Sequence, residues 1–189
     1  MKWLPNIISI LRIFLVVPTV WFLLNHQYSY ALAIFLIAGL SDGLDGFLAR
    51  RFGWITRLGS FLDPLGDKLL LTAVYFVLGW QSHFPVWLVA VVIGRDVLII
   101  LGALAYRLLV QDISMKPLLI SKLNTAFQIF LVLLMLFSLS TLPMAAQVPA
   151  WLTQTMIYLV FISSALSGLT YVVIWSRKAI DEVKNRENA

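Results

Sequence analysis

The stretch that decides the fold is residues 41–68, SDGLDGFLARRFGWITRLGSFLDPLGDK. It holds four of the chain's nine acidic residues, and long apolar runs flank it on both sides. Asp42 and Asp45 are three positions apart and Asp63 and Asp67 are four apart, spacings that put each pair on one helical face. The stretch therefore predicts two antiparallel helices, joined by a short basic loop, whose carboxylates converge at one depth.

Apolar runs of span length continue on both sides of this stretch. A bilayer-crossing helix needs roughly 20 residues, and we place six of them at 5–24, 28–50, 59–78, 86–108, 118–139 and 151–175. The chain is 61% hydrophobic and only 12% charged, whereas soluble domains carry about 25% charged residues. The composition therefore predicts an all-α integral membrane protein with a six-transmembrane-helix bundle.

The connections between the spans alternate in charge. Residues 25–29, 80–85 and 140–150 contain no Lys, Arg, Asp or Glu, whereas the other connections and the C-terminal segment are basic. Basic connections stay on the cytoplasmic side of a membrane, so both termini are predicted to be cytoplasmic. We expect residues 1–176 to form one membrane domain and 177–189 a short charged cytoplasmic tail.

Charge and cysteine content exclude other classes of protein. The net charge of +5 is scattered between apolar runs rather than gathered in a basic tail, so it favours contact with membrane lipids and no nucleic acid. The chain has no cysteine, which excludes disulfides, zinc–thiolate sites and thiol nucleophiles.

The four aspartates carry the chemical prediction. Carboxylates packed together in a low dielectric do not all stay ionised without cations. Oxygen ligands without Cys or nearby His favour hard ions, so we expect two Mg²⁺ or Mn²⁺ ions, which suit displacement at phosphorus. The alternative is that the aspartates are ordinary interfacial charges paired with nearby basic residues, namely Arg50, Arg51, Arg57 and Lys68.

The same stretch resembles the signature of the CDP-alcohol phosphatidyltransferase family, D-x2-D-G-x2-A-R-x8-G-x3-D-x3-D. All eight fixed positions are filled here: Asp42, Asp45, Gly46, Ala49, Arg50, Gly59, Asp63 and Asp67. The resemblance implies that the four aspartates are metal ligands and that Asp67 is also the catalytic base. It further implies that Gly46, Ala49 and Gly59 line a cytidine and that Arg50 holds the diphosphate.

The substrates follow from this resemblance. It implies a CDP-diacylglycerol donor bound at the cytoplasmic face, a glycerol-type lipid acceptor, release of CMP, and a homodimer. We expect a bacterial inner membrane location, because no transit peptide or long N-terminal extension precedes the first span.

The acceptor side has fewer signals. Its candidate binding residues are Arg95, Arg107, Lys116 and Lys122, although Arg95 and its neighbour Asp96 could simply form an ion pair. Residues 5–12, 94–97 and 121–125 resemble eukaryotic-type cardiolipin synthases, which implies phosphatidylglycerol as the acceptor. Glycerol 3-phosphate is the alternative acceptor, as in phosphatidylglycerophosphate synthases.

Two non-enzymatic classes are weighed against this interpretation. A small membrane transporter would distribute charges through the membrane depth, whereas the four aspartates here lie at one end of their spans. A scaffold that had lost the chemistry would be free to lose one of the acids, and all four are present.

Overall fold

The computed structural model describes the backbone of residues 4–52, 59–110 and 119–187, and the side chains of residues 10–41, 66, 68–102 and 119–176. Within these ranges the chain is helical and contains no strand. Its six α-helices are α1 (Leu4–Leu24), α2 (Tyr28–Phe52), α3 (Gly59–Trp80), α4 (Val86–Val110), α5 (Leu119–Leu139) and α6 (Ala150–Glu187). A short 3₁₀ turn, Ala145–Gln147, lies between α5 and α6. The predicted all-α class is confirmed.

The last helix differs from its predicted extent. Helix α6 begins at Ala150 and continues to Glu187, through most of the segment expected to be a solvated tail. Residues 177–187 contain no Gly or Pro, and their Lys, Arg, Glu, Ala and Ile side chains are compatible with a helix. Nothing in that segment stops the helix at the end of its apolar part.

Two helices are long and apolar enough to cross a membrane, namely Leu119–Leu139 and Ala150–Ser176. Shorter apolar helical stretches cover Ile10–Leu24, Tyr28–Ser41 and Lys68–Trp80. The stretches in α2 and α3 border the segment that carries the four aspartates. The six-span topology with cytoplasmic termini stays a prediction.

The surface and interior have an unusual distribution of polarity. Large apolar side chains lie exposed on the helices, among them Phe14, Leu40 and Leu169, each more than 60% accessible. Several charged or polar side chains are buried instead: Arg12, Thr19, Arg95, Asp96, Asn124, Gln128, Ser164 and Ser167. Soluble monomers rarely expose so much large apolar surface, whereas this distribution is typical of helices in lipid.

The chain forms two compact units. The first consists of Met1–Phe84 and Ile129–Thr153, and in it α1 packs against both α2 and α3. The second consists of Pro85–Gln128 and Gln154–Ala189. In the second unit the Trp87 ring of α4 stacks on Tyr158 of α6, with centroids 6.0 Å apart, and meets Phe161 edge-on.

Candidate functional site

Hydrogen bonds hold three helix ends together in the first unit. Tyr28, the first residue of α2, places its Oη 2.9 Å from Nε2 of His83, just beyond the end of α3. Gln81 Nε2 donates to the Leu23 carbonyl at the end of α1, at 2.7 Å. The end of α1, the start of α2 and the end of α3 therefore lie side by side. The chain leaves this end along α2 and returns to it along α3, so the two helices are antiparallel.

The four aspartate positions lie at matching distances from the joined end. At 1.5 Å of rise per residue, Asp42 lies about 21 Å along α2 from Tyr28, and Asp67 about 20 Å along α3 from Trp80. Asp45 and Asp63 each lie about 26 Å from the same residues. The helical geometry therefore brings positions 42 and 67 to one level, and positions 45 and 63 to the next.

The acidic positions of helix α2 continue the spacing of its buried residues. Its buried apolar residues are Ala31, Leu32, Phe35 and Ala38, of which Ala31, Phe35 and Ala38 follow one another at spacings of four and three. The same alternation, continued along the helix, reaches Asp42 and then Asp45. Positions spaced in this way share one helical face, so the buried face of α2 becomes acidic as the helix continues.

Helix α3 repeats the arrangement in the opposite direction. Its buried apolar residues include Tyr75 and Leu78 as well as Leu70, Val74 and Val77, and these last three follow the same alternating spacing. Extended toward the start of the helix, that spacing reaches Asp67 and then Asp63. Both helices thus carry their acids in register with residues that the structure buries. The contacts of the four carboxylates themselves fall on side chains outside those that the structure describes.

Helix α1 contributes a buried cation at the same level. Arg12 is only 1% exposed and lies about 18 Å along α1 from Leu24, close to the level of Asp42 and Asp67. Because α1 packs on both α2 and α3, this guanidinium belongs to the acidic end of the unit. In the sequence analysis Arg12 is only the last residue of segment 5–12 and has no role beside the aspartates. A lone charge at the depth of the aspartates was the signal that could have marked it as part of the site.

The donor set at this end of the unit fits hard divalent cations. Four carboxylate positions, two on each helix, lie at pairwise matching levels, and carboxylate oxygens are the ligands that such ions prefer. Elsewhere, among the side chains that the structure describes, no three His, Asp or Glu residues lie close enough to hold a metal ion. Asp42, Asp45, Asp63 and Asp67 stay the predicted residues that would hold Mg²⁺ or Mn²⁺.

The remaining predicted donor-binding residues lie on the same two helices. Gly46 and Ala49 fall within α2 beside Asp45, and Arg50 lies at its end. Gly59 is the first residue of α3 and lies one turn before Asp63. These backbone positions adjoin the acidic levels, and their side-chain surroundings fall outside the described residues.

The predicted acceptor-binding residues are more dispersed. Lys122 is exposed on α5. Arg107 belongs to α4, with its side chain outside the described set, and Lys116 lies in the undescribed segment 111–118. Their predicted contact with an acceptor stays a prediction.

Arg95 is the exception, because several of its hydrogen-bond partners are described. Its Nη1 lies 2.5 Å from Asp96 Oδ1, in a pair whose side chains are 3% and 10% exposed. Its Nε and Nη2 donate to Ser167 Oγ at 3.2 and 2.9 Å, and Nη2 also bonds to Ser121 Oγ. Arg95 thus joins α4, α5 and α6 and forms the ion pair considered in the sequence analysis.

Comparison with known proteins identifies the family. The family model described as CDP-alcohol phosphatidyltransferase matches residues 2–175. The chain belongs to the CDP-alcohol phosphatidyltransferase family. The resemblance carried by the 41–68 stretch is therefore confirmed, and the transporter and scaffold alternatives lose their support.

Curated relatives carry two kinds of name. The chain is 37% identical over 147 residues to a cardiolipin synthase (CMP-forming) of Rattus norvegicus, covering 68% of this chain and 48% of the relative. It is 42% identical over 102 residues to a CDP-diacylglycerol–glycerol-3-phosphate 3-phosphatidyltransferase of Pseudomonas fluorescens, covering 51% and 52%. A chloroplastic relative of the second name, from Oryza sativa, is 36% identical over 146 residues, covering 68% and 44%. The chain spans about half the length of these relatives.

Proposed function

We propose that this CDP-alcohol phosphatidyltransferase moves a phosphatidyl group from CDP-diacylglycerol to a glycerol-containing lipid, with release of CMP. The observation that carries the proposal is the register of α2 and α3, which continues two buried apolar faces into four aspartate positions at matched levels. The family match over residues 2–175 supplies the reaction class.

The reaction assigns a task to each group. The acceptor hydroxyl oxygen forms a bond to the phosphorus that bears diacylglycerol, and the bond from that phosphorus to the CMP oxygen breaks. Asp67 takes the hydroxyl proton as the catalytic base. The divalent ions, when bound, neutralise charge on the diphosphate and on the departing CMP. Asp42, Asp45 and Asp63 hold these ions together with Asp67.

The donor site is completed by small and basic residues. Gly46, Ala49 and Gly59 leave room for the cytidine beside the acidic levels, and Arg50 grips the diphosphate with its planar fork of donors. Buried Arg12 limits the net negative charge at this end, because its guanidinium lies at the level of two of the carboxylates.

We further propose phosphatidylglycerol as the acceptor. In the part of the second unit whose side chains are described, the buried charges are Arg95 and Asp96, which cancel. An interior without net positive charge suits a monoanionic phosphodiester better than the dianionic phosphate of glycerol 3-phosphate, which needs more cations. Lys122, Arg107 and Lys116 would then contact the acceptor near the membrane surface. Relatives named cardiolipin synthase agree with this choice.

Glycerol 3-phosphate is the second candidate acceptor, because relatives from Pseudomonas fluorescens and Oryza sativa carry that acceptor in their names. For either acceptor we propose six spans, with the aspartates facing the cytoplasm of a bacterial inner membrane. The homodimer that the family resemblance implies belongs to the same proposal.

The experiment that tests the acceptor supplies purified protein with CDP-diacylglycerol labelled in its diacylglycerol part, Mn²⁺, and one acceptor at a time. Labelled cardiolipin formed from phosphatidylglycerol is the expected product. Labelled phosphatidylglycerophosphate from glycerol 3-phosphate, with no product from phosphatidylglycerol, would replace the first acceptor by the second. Inositol phosphate and serine serve as controls and are expected to give no product.

A further inference from the structure

A ladder of buried and half-buried polar side chains runs between α5 and α6 in the second unit. Its first level is Ser121 and Ser167, which both bond to Arg95. Its second level is Asn124, bonded to Ser163 and Ser164. Gln128 extends the ladder, with its Nε2 3.4 Å from Ser164 Oγ. Between two helices with apolar outer faces, each polar group of such a ladder needs a hydrogen-bond partner.

Asn124 stands out in this ladder, because its Nδ2 has no hydrogen-bond partner in the described part of the chain. Its Oδ1 lies 2.7 Å from Ser163 Oγ and 2.8 Å from Ser164 Oγ. Its Nδ2 has no hydrogen-bond partner among the residues that the structure describes, although Asn124 is 0% exposed. A buried amide group without a partner destabilises the folded state, so native proteins normally satisfy it with protein, water or ligand.

The two possible amide orientations narrow the chemistry of the missing partner. Ser163 Oγ also lies 3.1 Å from the Val160 carbonyl, and its single hydrogen cannot serve that oxygen and Asn124 together. Rotating the amide by a half-turn lets its two N–H groups reach the two serines and leaves Oδ1 without a partner. One orientation therefore needs an acceptor and the other needs a donor. A hydroxyl group serves both, since it donates and accepts, whereas a carbonyl or an ammonium serves only one.

We propose that Asn124 binds a hydroxyl group inside the second unit. The hydroxyl comes either from the glycerol of the acceptor lipid or from one resident water molecule. The acceptor source rests on the proposed function, while hydroxyl binding by itself does not. Ser163 and Ser164 fix the amide plane, so the free amide atom has a defined direction in which to bind.

The test replaces Asn124 by Leu, which has a similar volume and no polar atom. Ser163 then keeps its bond to the Val160 carbonyl, but Ser164 loses Asn124 Oδ1 as its acceptor, so Tm is compared between Ser164→Ala and Ser164→Ala/Asn124→Leu. If the amide binds nothing, its removal leaves Tm unchanged or raises it, because an unsatisfied group has gone. If the amide binds a hydroxyl, the variant loses a real partner. Thr125→Val is the matched control, since Thr125 lies on the same turn and its hydroxyl donates to the Ser121 carbonyl of its own helix.

Two measurements on full-length protein in detergent separate the sources of the hydroxyl. A KM for phosphatidylglycerol raised about tenfold, with the KM for CDP-diacylglycerol unchanged, supports the acceptor hydroxyl. A Tm lowered by about 2–5 °C with both KM values unchanged supports a resident water. A Tm of Ser164→Ala/Asn124→Leu equal to or above that of Ser164→Ala, with unchanged KM values, overturns the proposal, as does an equal effect of Thr125→Val. Wild-type protein that releases no CMP contradicts the proposed function, and the Tm comparison then decides hydroxyl binding alone.

Discussion

The ion pair in the second unit gives a prediction whose size follows from the structure. Arg95→Met removes a guanidinium that bonds Asp96, Ser121 and Ser167, and it leaves the Asp96 carboxylate, 10% exposed, without that partner. Removing one member of a buried pair costs about 3–5 kcal/mol. For a chain of this length each kcal/mol lowers Tm by about 2–4 °C, so we expect a fall of about 6–20 °C.

The assay is a thermal scan of tryptophan fluorescence in detergent at one fixed heating rate, because irreversible unfolding makes Tm depend on that rate. Lys122→Met is the control, since it removes an exposed positive charge from the same unit, and we expect it to change Tm by less than about 2 °C. The double variant Arg95→Met/Asp96→Leu removes both charges, so we expect it to recover much of the loss. A single variant within about 2 °C of wild type, or a double variant less stable than the single one, would refute the reasoning.

Three further predictions concern the first unit and its metal site. The pKa of the His83 imidazole lies below its usual value, because burial disfavours the charged ring and His26 repels it. The unfolded chain therefore binds that proton more readily than the folded chain, so Tm is highest above about pH 6.5 and falls at lower pH. His83→Gln should weaken this dependence of Tm on pH, and a variant with the wild-type pH profile contradicts the assignment to His83. Tyr28→Phe loses the hydroxyl that bonds His26 and His83, so we expect its free energy of unfolding to fall by about 1–2 kcal/mol in the same thermal scan. Tyr30→Phe keeps its ring stacking and should match wild type. Mn²⁺ at about 100 times its Kd should stabilise the protein by about 2.7 kcal/mol, measured as a rise in Tm that EDTA reverses. A Tm that neither Mn²⁺ nor EDTA changes contradicts a resident metal site.

Much of the architecture could be predicted from local sequence alone. Apolar runs of span length and polar connections place five of the six helices within about two residues, because these signals act over single turns. Helix α6 was the exception: its charged end is as compatible with a helix as its apolar part, so hydropathy marks a change of surroundings there and not a helix end.

The acidic end of α2 and α3 was also within reach of the sequence. Spacings of three and four fix which positions share a face, and the structure adds that Ala38 and Leu70, on those faces, are buried. Arg12 was missed because its level relative to Asp42 depends on the way α1 packs against α2 and α3. Packing between helices is not visible in the spacing along one of them.

The polar ladder was the least predictable feature. A serine or asparagine within an apolar run has little effect on hydropathy, so Asn124 and Ser164 resemble background when each helix is considered alone. Their pairing depends on the register between α5 and α6, which tertiary contacts determine. In the same register, the Nδ2 of Asn124 has no hydrogen-bond partner among the residues that the structure describes.

The most direct test of the account is CMP release from CDP-diacylglycerol as a function of Mn²⁺ or Mg²⁺ concentration, compared between wild type and Asp63→Asn. The substitution keeps the size of the side chain and removes its charge, so it weakens metal binding without leaving a cavity. We expect wild-type release to depend on the metal ion and to stop with EDTA, and we expect Asp63→Asn to lower it by at least about 100-fold, the upper range for loss of a metal-site group. Release at the wild-type rate in Asp63→Asn, or in the presence of EDTA, would contradict a metal site formed by the aspartates of α2 and α3.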